Sequence, residues 1–163
     1  MNPIRVAVID DNETWRDAFC NILCRQLNLS VIENSDDPYN LLESVNLDET
    51  DLIFMDIRMP MIDGITLAKK LLLQKNSLKI IAVTMYIDSI SLALLLSAGF
   101  KGCISKASLL PELESATNTV LEGRLYFPRY IVLSNYPKPR NDRQHGTSMY
   151  FSAKRTSDPR PTK

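Results

Sequence analysis

Three carboxylates, a hydroxyl and an amine stand directly after short apolar runs in this sequence. Asp10 and Asp11 follow R-V-A-V-I, Asp56 follows L-I-F-M, Thr84 closes K-I-I-A-V-T, and Lys106 follows K-G-C-I-S. If those runs are neighbouring strands of one parallel sheet, their carboxyl ends share a rim, where open α/β sheets carry their chemistry. Carboxylates about 4 Å apart repel by about 4 kcal/mol a pair at an effective dielectric near 20. Such a group is stable only with a proton or a cation among them. Mg²⁺ suits it, because that ion takes one or two carboxylates, keeps several waters and bridges to phosphate oxygens. A carboxylate beside a divalent ion can attack phosphorus and become an aspartyl phosphate. Charge on the transferred oxygens then needs fixed positive partners, which Mg²⁺ and Lys106 would supply, while the Thr84 hydroxyl can donate to the bound phosphoryl group. Asp56 is the expected acceptor. Each residue alone has a plainer reading: Asp10 and Asp11 as helix caps, Thr84 as a β-branched strand residue, Lys106 as a solvated amine.

The elements that must position these groups alternate along the chain. Strands are expected over 4–9, 30–33, 51–55, 78–84 and 100–105, the third of them a wholly apolar run suited to burial on both faces. Helices are expected over 12–27, from 35–38 onward with Pro38 near the start, then over 65–74, 88–97 and 108–122. In the first, Trp15, Ala18, Phe19, Ile22, Leu23 and Gln26 share a face, which reads Trp15 as helix packing. In the second, Leu41, Leu42 and Val45 face inward. Gly99 stops the fourth helix, Ser108 is the expected N-cap of the fifth, and Asp63-Gly64 is turn chemistry. Parallel strands need helical crossovers, so five β-α units give a flavodoxin-like (βα)5 doubly wound sheet of order 2-1-3-4-5. No glycine-rich phosphate loop follows the first strand, which argues against nucleotide binding there.

The 163 residues are 45% apolar, ordinary for one globular domain with an appendage. No apolar stretch approaches the about 20 residues that span a bilayer, the first residues lack a signal-peptide core, and no membrane partner is expected. Cys20, Cys24 and Cys103 have no zinc or disulfide spacing, and Cys20 and Cys24 read as small packing residues in a reducing cytoplasm. Charge is uneven. Residues 1–136 hold 12 Lys/Arg against 17 Asp/Glu, a balance of −5, whereas 137–163 hold 7 against 2, a balance of +5. Those last 27 residues contain four of the nine prolines and no helical apolar period, so disorder is expected. His145 falls there and reads as solvated.

Asp10-Asp11, Asp56 with Met59-Pro60 and Asp63-Gly64, Thr84, and Lys106, in this order and at these strand ends, resemble the receiver domain of two-component response regulators. The resemblance covers roughly residues 3–127, and the expected organisation is a receiver over 1–127 with a linker remnant and basic tail over 128–163. It implies that Asp10 and Asp11 hold Mg²⁺, with Asp11 the closer ligand, that Asp56 is both ligand and phosphoacceptor, and that the Arg58 backbone carbonyl completes the metal shell. It implies also that Thr84 and Lys106 sense the phosphoryl group, and that the donor is a phosphohistidine on a sensor histidine kinase. Another response regulator or a second copy of the chain are the further partners it suggests. The chain would catalyse only its own phosphorylation and dephosphorylation.

The segment E-G-R-L-Y-F-P at 122–128 looks like the close of receivers in the NarL/LuxR subgroup, which continue into a helix-turn-helix output domain. The remaining residues are too short and polar for one, so sequence-specific nucleic-acid binding is not expected. Three alternatives stand beside this reading: a vestigially phosphorylated protein-binding module, a basic tail making salt-sensitive nucleic-acid contacts, and an aspartyl-phosphate hydrolase. The hydrolase needs a second Asp two residues after the first-strand nucleophile, where Asn12 stands. Three departures from the family pattern are Cys103, at the place of an aromatic three residues before the lysine, Ala107, where many receivers have proline, and Met85, where a small residue is usual and which is expected to crowd the pocket entry. Tyr86 is expected at the rim.

Overall fold

The structure, a computed structural model, describes residues 3–44 and 46–128. Val45, the expected tail and His145 lie outside the described residues. In chain order the elements are β1 (Arg5–Ile9), α1 (Glu13–Gln26), β2 (Ser30–Ser35), α2 (Pro38–Ser44), β3 (Leu52–Met55), α3 (Gly64–Gln74), β4 (Ile80–Thr84), α4 (Ser89–Ala98), β5 (Gly102–Ser105), a 3-10 turn (Lys106–Ser108) and α5 (Leu109–Leu121). All five strands are parallel, in the order β2-β1-β3-β4-β5. This is the flavodoxin-like arrangement expected from the alternation of elements.

Successive strand residues point to opposite faces, and the two faces have separate cores. Val6, Val8, Leu52, Phe54, Ile81 and Val83 pack with Phe19 and Leu23 of α1 and Leu113, Ala116 and Val120 of α5. Ala7, Ile9, Ile53, Met55, Ile80 and Ala82 pack with Leu41 of α2, Leu67 and Leu71 of α3, and Leu92 and Leu95 of α4. Since β3 is covered on both sides, all four of its residues are buried. That explains why it shows no polar alternation in sequence.

Several local expectations are corrected. β2 runs two residues further, to Ser35, pairing Ile9 with Ser35 beyond a register shift at Val6/Ala7. β4 and β5 begin two residues later than the apolar runs suggest. On α1 the buried stripe is Arg16, Phe19 and Leu23, at helical spacing of three and four, whereas Ala18 and Gln26 are exposed. Cys20 packs into that core, but Cys24 is exposed and is no packing residue. Ser108 occupies the N-cap of α5 without capping it; its hydroxyl donates to Glu112 Oε1 at 2.6 Å. Beyond α5 the chain returns to the sheet: Cys103 N–H donates to Tyr126 O at 2.8 Å and Tyr126 N–H to Lys101 O at 2.9 Å. This covers the free edge of β5, a need that edge strands generally have.

Two turn residues hold the loop after β3. Asp63 caps α3, accepting from Thr66 N–H at 2.9 Å and from its hydroxyl at 2.7 Å. Gly64 donates to Ile57 O at 2.9 Å, and a Cβ on it would collide with the backbone carbonyl oxygen of Asp56. Gly64→Ala should therefore cost about 2 kcal/mol of unfolding free energy in urea titrations, since the obstacle is backbone and cannot rotate away. At Asp63, partial burial pushes the carboxyl up, but the Thr66 and Ile65 donors outweigh it and hold the group below its ordinary 3.8. A lowered folded pKa stabilises above the unfolded value and loses that effect as pH falls through the folded one. Asp63→Ala should accordingly cost about 1 kcal/mol at pH 7, with the gap to the unsubstituted chain closing in melts taken below pH 3.8.

Candidate functional site

β1 and β3 are neighbours, and each ends on a carboxylate. Asp56 N–H donates to Ile9 O at 2.9 Å, and Asp10 N–H donates to Ser35 O at 3.2 Å. The ladder thus carries both acids to the carboxyl rim, at the switch point between β1 and β3 where the winding of the sheet reverses. Asp10 is 0% exposed and Asp56 7%, while Asp11, outside the strand, is exposed. One carboxylate oxygen from each of Asp10, Asp11 and Asp56 lies within 4.8 Å of the others.

Lys106 opens the 3-10 turn after β5 and reaches over the end of β4. Its amine donates to Asp56 Oδ2 at 3.0 Å and lies 2.5 Å from Asp10 Oδ2. The remaining bonds come from local backbone. Asp10 Oδ1 accepts from Asn12 N–H at 2.9 Å; Asp56 Oδ1 accepts from Ile57 N–H at 2.6 Å and, more weakly, from Arg58 N–H at 3.4 Å. Asp10 Oδ2 is fully buried and accepts no well-directed hydrogen bond, because the nearby amine approaches it off the bonding direction. Burial dominates at Asp10 and pushes its carboxyl above the ordinary 3.8, against the pull of Lys106 and the Asn12 amide. Three carboxylates against one ammonium leave a formal −2. An under-coordinated buried oxygen, an all-oxygen donor set and that net charge fit a hard divalent cation.

Thr84 ends β4, is 4% exposed and pairs in register with Ser105, next to Lys106. It lines a cavity of about 50 Å³ with Ile57, Arg58, Tyr86, Ile87, Leu94, Leu95 and Cys103. Met85 does not line that cavity and is 56% exposed. Tyr86 stands at its mouth, with the Arg58 guanidinium 5.0 Å from the ring centroid. Burial pushes the Cys103 thiol up to about 12, so it serves as a small packing group.

Two contributors were not legible as site residues. Arg16 is 7% exposed and donates from Nη1 to the backbone carbonyl of Asp10 at 2.6 Å, with Nε 3.4 Å from Asn34 Oδ1. It fixes the peptide that carries Asp10. Its signal in the sequence was a guanidinium three residues before Phe19 on the inward stripe. Trp15 packs on Phe19, as expected of a helix residue, but its ring also lies 4.3 Å from Lys106 Nζ. Only the fold brings that amine to it.

The response regulator receiver domain model matches residues 6–118. The chain belongs to this family. Response regulator GacA of Pseudomonas viridiflava is 31% identical over 129 residues, covering 79% of this chain and 60% of GacA. Transcriptional regulatory protein DegU of Brevibacillus brevis is 26% identical over 125 residues, covering 77% and 53%. The chain thus spans little more than half the length of these relatives. The isolated receiver domain of RcsB from Salmonella enterica serovar Typhimurium, solved with the phosphomimetic BeF3⁻, aligns with a TM-score of 0.70 at 24% identity over 78% of this chain and 95% of that one. That likeness shows the fold. The chain is a receiver of two-component signalling. Among the described residues of this receiver, no helix is long and apolar enough to cross a membrane.

Because burial disfavours the charged form of Asp10, its carboxylate weakens the metal-free fold at neutral pH. In EDTA at pH 7, Asp10→Asn should raise unfolding stability by about 1 kcal/mol. The gain should shrink as pH falls toward 3.8, where the unfolded carboxyl is itself protonated. A lower urea midpoint for the variant at pH 7 would contradict this.

Proposed function

We propose that this receiver takes a phosphoryl group onto Asp56 from a phosphohistidine of a sensor histidine kinase, with Mg²⁺ as cofactor. The observation that carries the reading is the ammonium of Lys106 set between the buried carboxylates of Asp10 and Asp56, 2.5 and 3.0 Å from their Oδ2 atoms. Asp10, Asp11, Asp56 and the Arg58 carbonyl would hold the metal. Bound there, Mg²⁺ would neutralise charge on the phosphoryl oxygens.

Asp56 is the nucleophile. A carboxylate oxygen forms the new O–P bond as the N–P bond of the donor breaks, and the imidazole leaves with the electron pair and takes a proton. The Ile57 amide on Oδ1 fixes the orientation of the carboxylate, an instance of catalysis by positioning. Lys106, already beside Asp56, follows the charge onto the transferred group. The Thr84 hydroxyl donates to a phosphoryl oxygen, and the balance of pre-existing conformations shifts around α4 and β5. Tyr86 and Arg58 form the rim past which the donor enters.

The receiver unit comprises residues 1–127, with 128–163 as an appended basic segment, and it works in the cytoplasm with a kinase and either a second regulator or a second copy of itself as partners. It acts as a signalling module that turns over only its own phosphoryl group.

Incubation with acetyl phosphate and Mg²⁺ should add one phosphoryl mass to the intact chain, and none to Asp56→Asn. EDTA should abolish the shift. An unsubstituted chain that stays at its starting mass would favour a protein-binding module without phosphorylation.

A further inference from the structure

Lys106 carries its charge on a four-carbon stem with free rotors, so nothing in the residue itself fixes where the ammonium stands. The two carboxylates beside it attract it, Asp56 through a directed hydrogen bond and Asp10 by charge alone, and both would also attract a cation entering the pocket. Its third neighbour is the face of Trp15, with Nζ 4.3 Å from the ring. An aromatic face within about 6 Å attracts an ammonium through its quadrupole, more strongly when water is excluded. Here the lysine side chain is only 7% exposed.

The ring is itself immobilised. Trp15 stacks on Phe19 at 4.8 Å and 30°, and Phe19 meets Phe54 edge-on at 5.2 Å and 87°. Phe54 lies on β3, two residues before Asp56. From the other side, Trp15 N–H donates to Asn12 Oδ1 at 3.0 Å, and Asn12 N–H donates to Asp10 Oδ1 at 2.9 Å. Both the ring and the backbone of Trp15 are therefore tied to strands that carry the acids.

We propose that Trp15 is a positioning residue whose indole face holds the Lys106 ammonium over the acidic pocket, so that the amine meets an incoming phosphoryl group already in place. The inference rests on Asp56 as phosphoacceptor. A residue that merely filled space beside Phe19 would be replaceable by leucine; one that acts through its ring is replaceable only by another aromatic.

Two measurements on the full chain decide it. Trp15 is the single tryptophan, so its emission reports on this contact without any phosphodonor. Lys106→Met should alter the emission of the metal-free protein; identical spectra would show that the ammonium does not sit on the ring and would overturn the proposal. Phosphorylation by acetyl phosphate at saturating Mg²⁺, followed by intact mass, should slow about fivefold in Trp15→Leu and stay within about twofold of the unsubstituted chain in Trp15→Phe. Equal rates for leucine and the native tryptophan, or equal losses for leucine and phenylalanine, would overturn it. If Trp15→Leu does not fold, the phenylalanine variant and the emission comparison still decide. If the unsubstituted chain takes no phosphate, the reading of Asp56 fails, and the emission comparison still tests the contact.

Discussion

Everything at the rim depends on one ammonium shared by two buried carboxylates. Asp10 and Asp56 are almost wholly removed from water, where like charges repel far more than at a surface and an unpaired carboxylate is costly. Lys106 neutralises part of that charge but not all of it. The strain falls on Asp10, whose buried Oδ2 has charge beside it and no directed hydrogen bond. A sheet could not tolerate such an edge unless it were held together elsewhere. The two apolar layers do that, with β3 and β4 buried along their whole length. The core stabilises the fold so that the rim can remain electrostatically unsatisfied and receptive to a cation.

Topology decides which residues can take part. With β1 beside β3, the two acids leave the sheet as neighbours, joined by the hydrogen bond from Asp56 N–H to Ile9 O. The lysine directly follows β5, and β4 lies between. Only a long side chain crosses that gap, and its stem must pass over the end of β4, where Thr84 stands. A hydroxyl beneath the path of the amine is thus a consequence of strand order.

Much of this was legible because it depends on period and punctuation. Four apolar residues closing on Asp56 cannot be an exposed strand, and Gly99, with φ of 97°, ends α4 as glycine does when a left-handed residue is required. Boundaries moved where hydrogen bonding rather than hydropathy decides them: Leu78 is buried, yet β4 begins at Ile80. What remained illegible is non-local. Tyr126 joins β5 through backbone groups that any residue but proline could supply. Arg16 looks like an interruption of an apolar stripe, and its burial is explained by the carbonyl of Asp10 and the side chain of Asn34, which the fold brings to it. Trp15 obeyed the helical period, which concealed its second role, since a period says which way a ring points and not what else arrives there.

The same distinction between period and placement bears on α4. Its sequence, S-I-S-L-A-L-L-L-S-A, has no charged residue. Leu92, Leu95 and Ala98 face the core, but Leu94 is 51% exposed and Ala93 is also outside. A helix such as α1, with charged residues outward, resists rotation because turning it would bury charge. Turning α4 exchanges one leucine for another at far smaller cost. Against it lies the cavity beside Thr84, to whose lining Cys103 contributes a small side chain. An element whose sequence weakly specifies its rotation, packed over free volume and beside the hydroxyl at the rim, is held in its orientation by smaller opposing costs than α1.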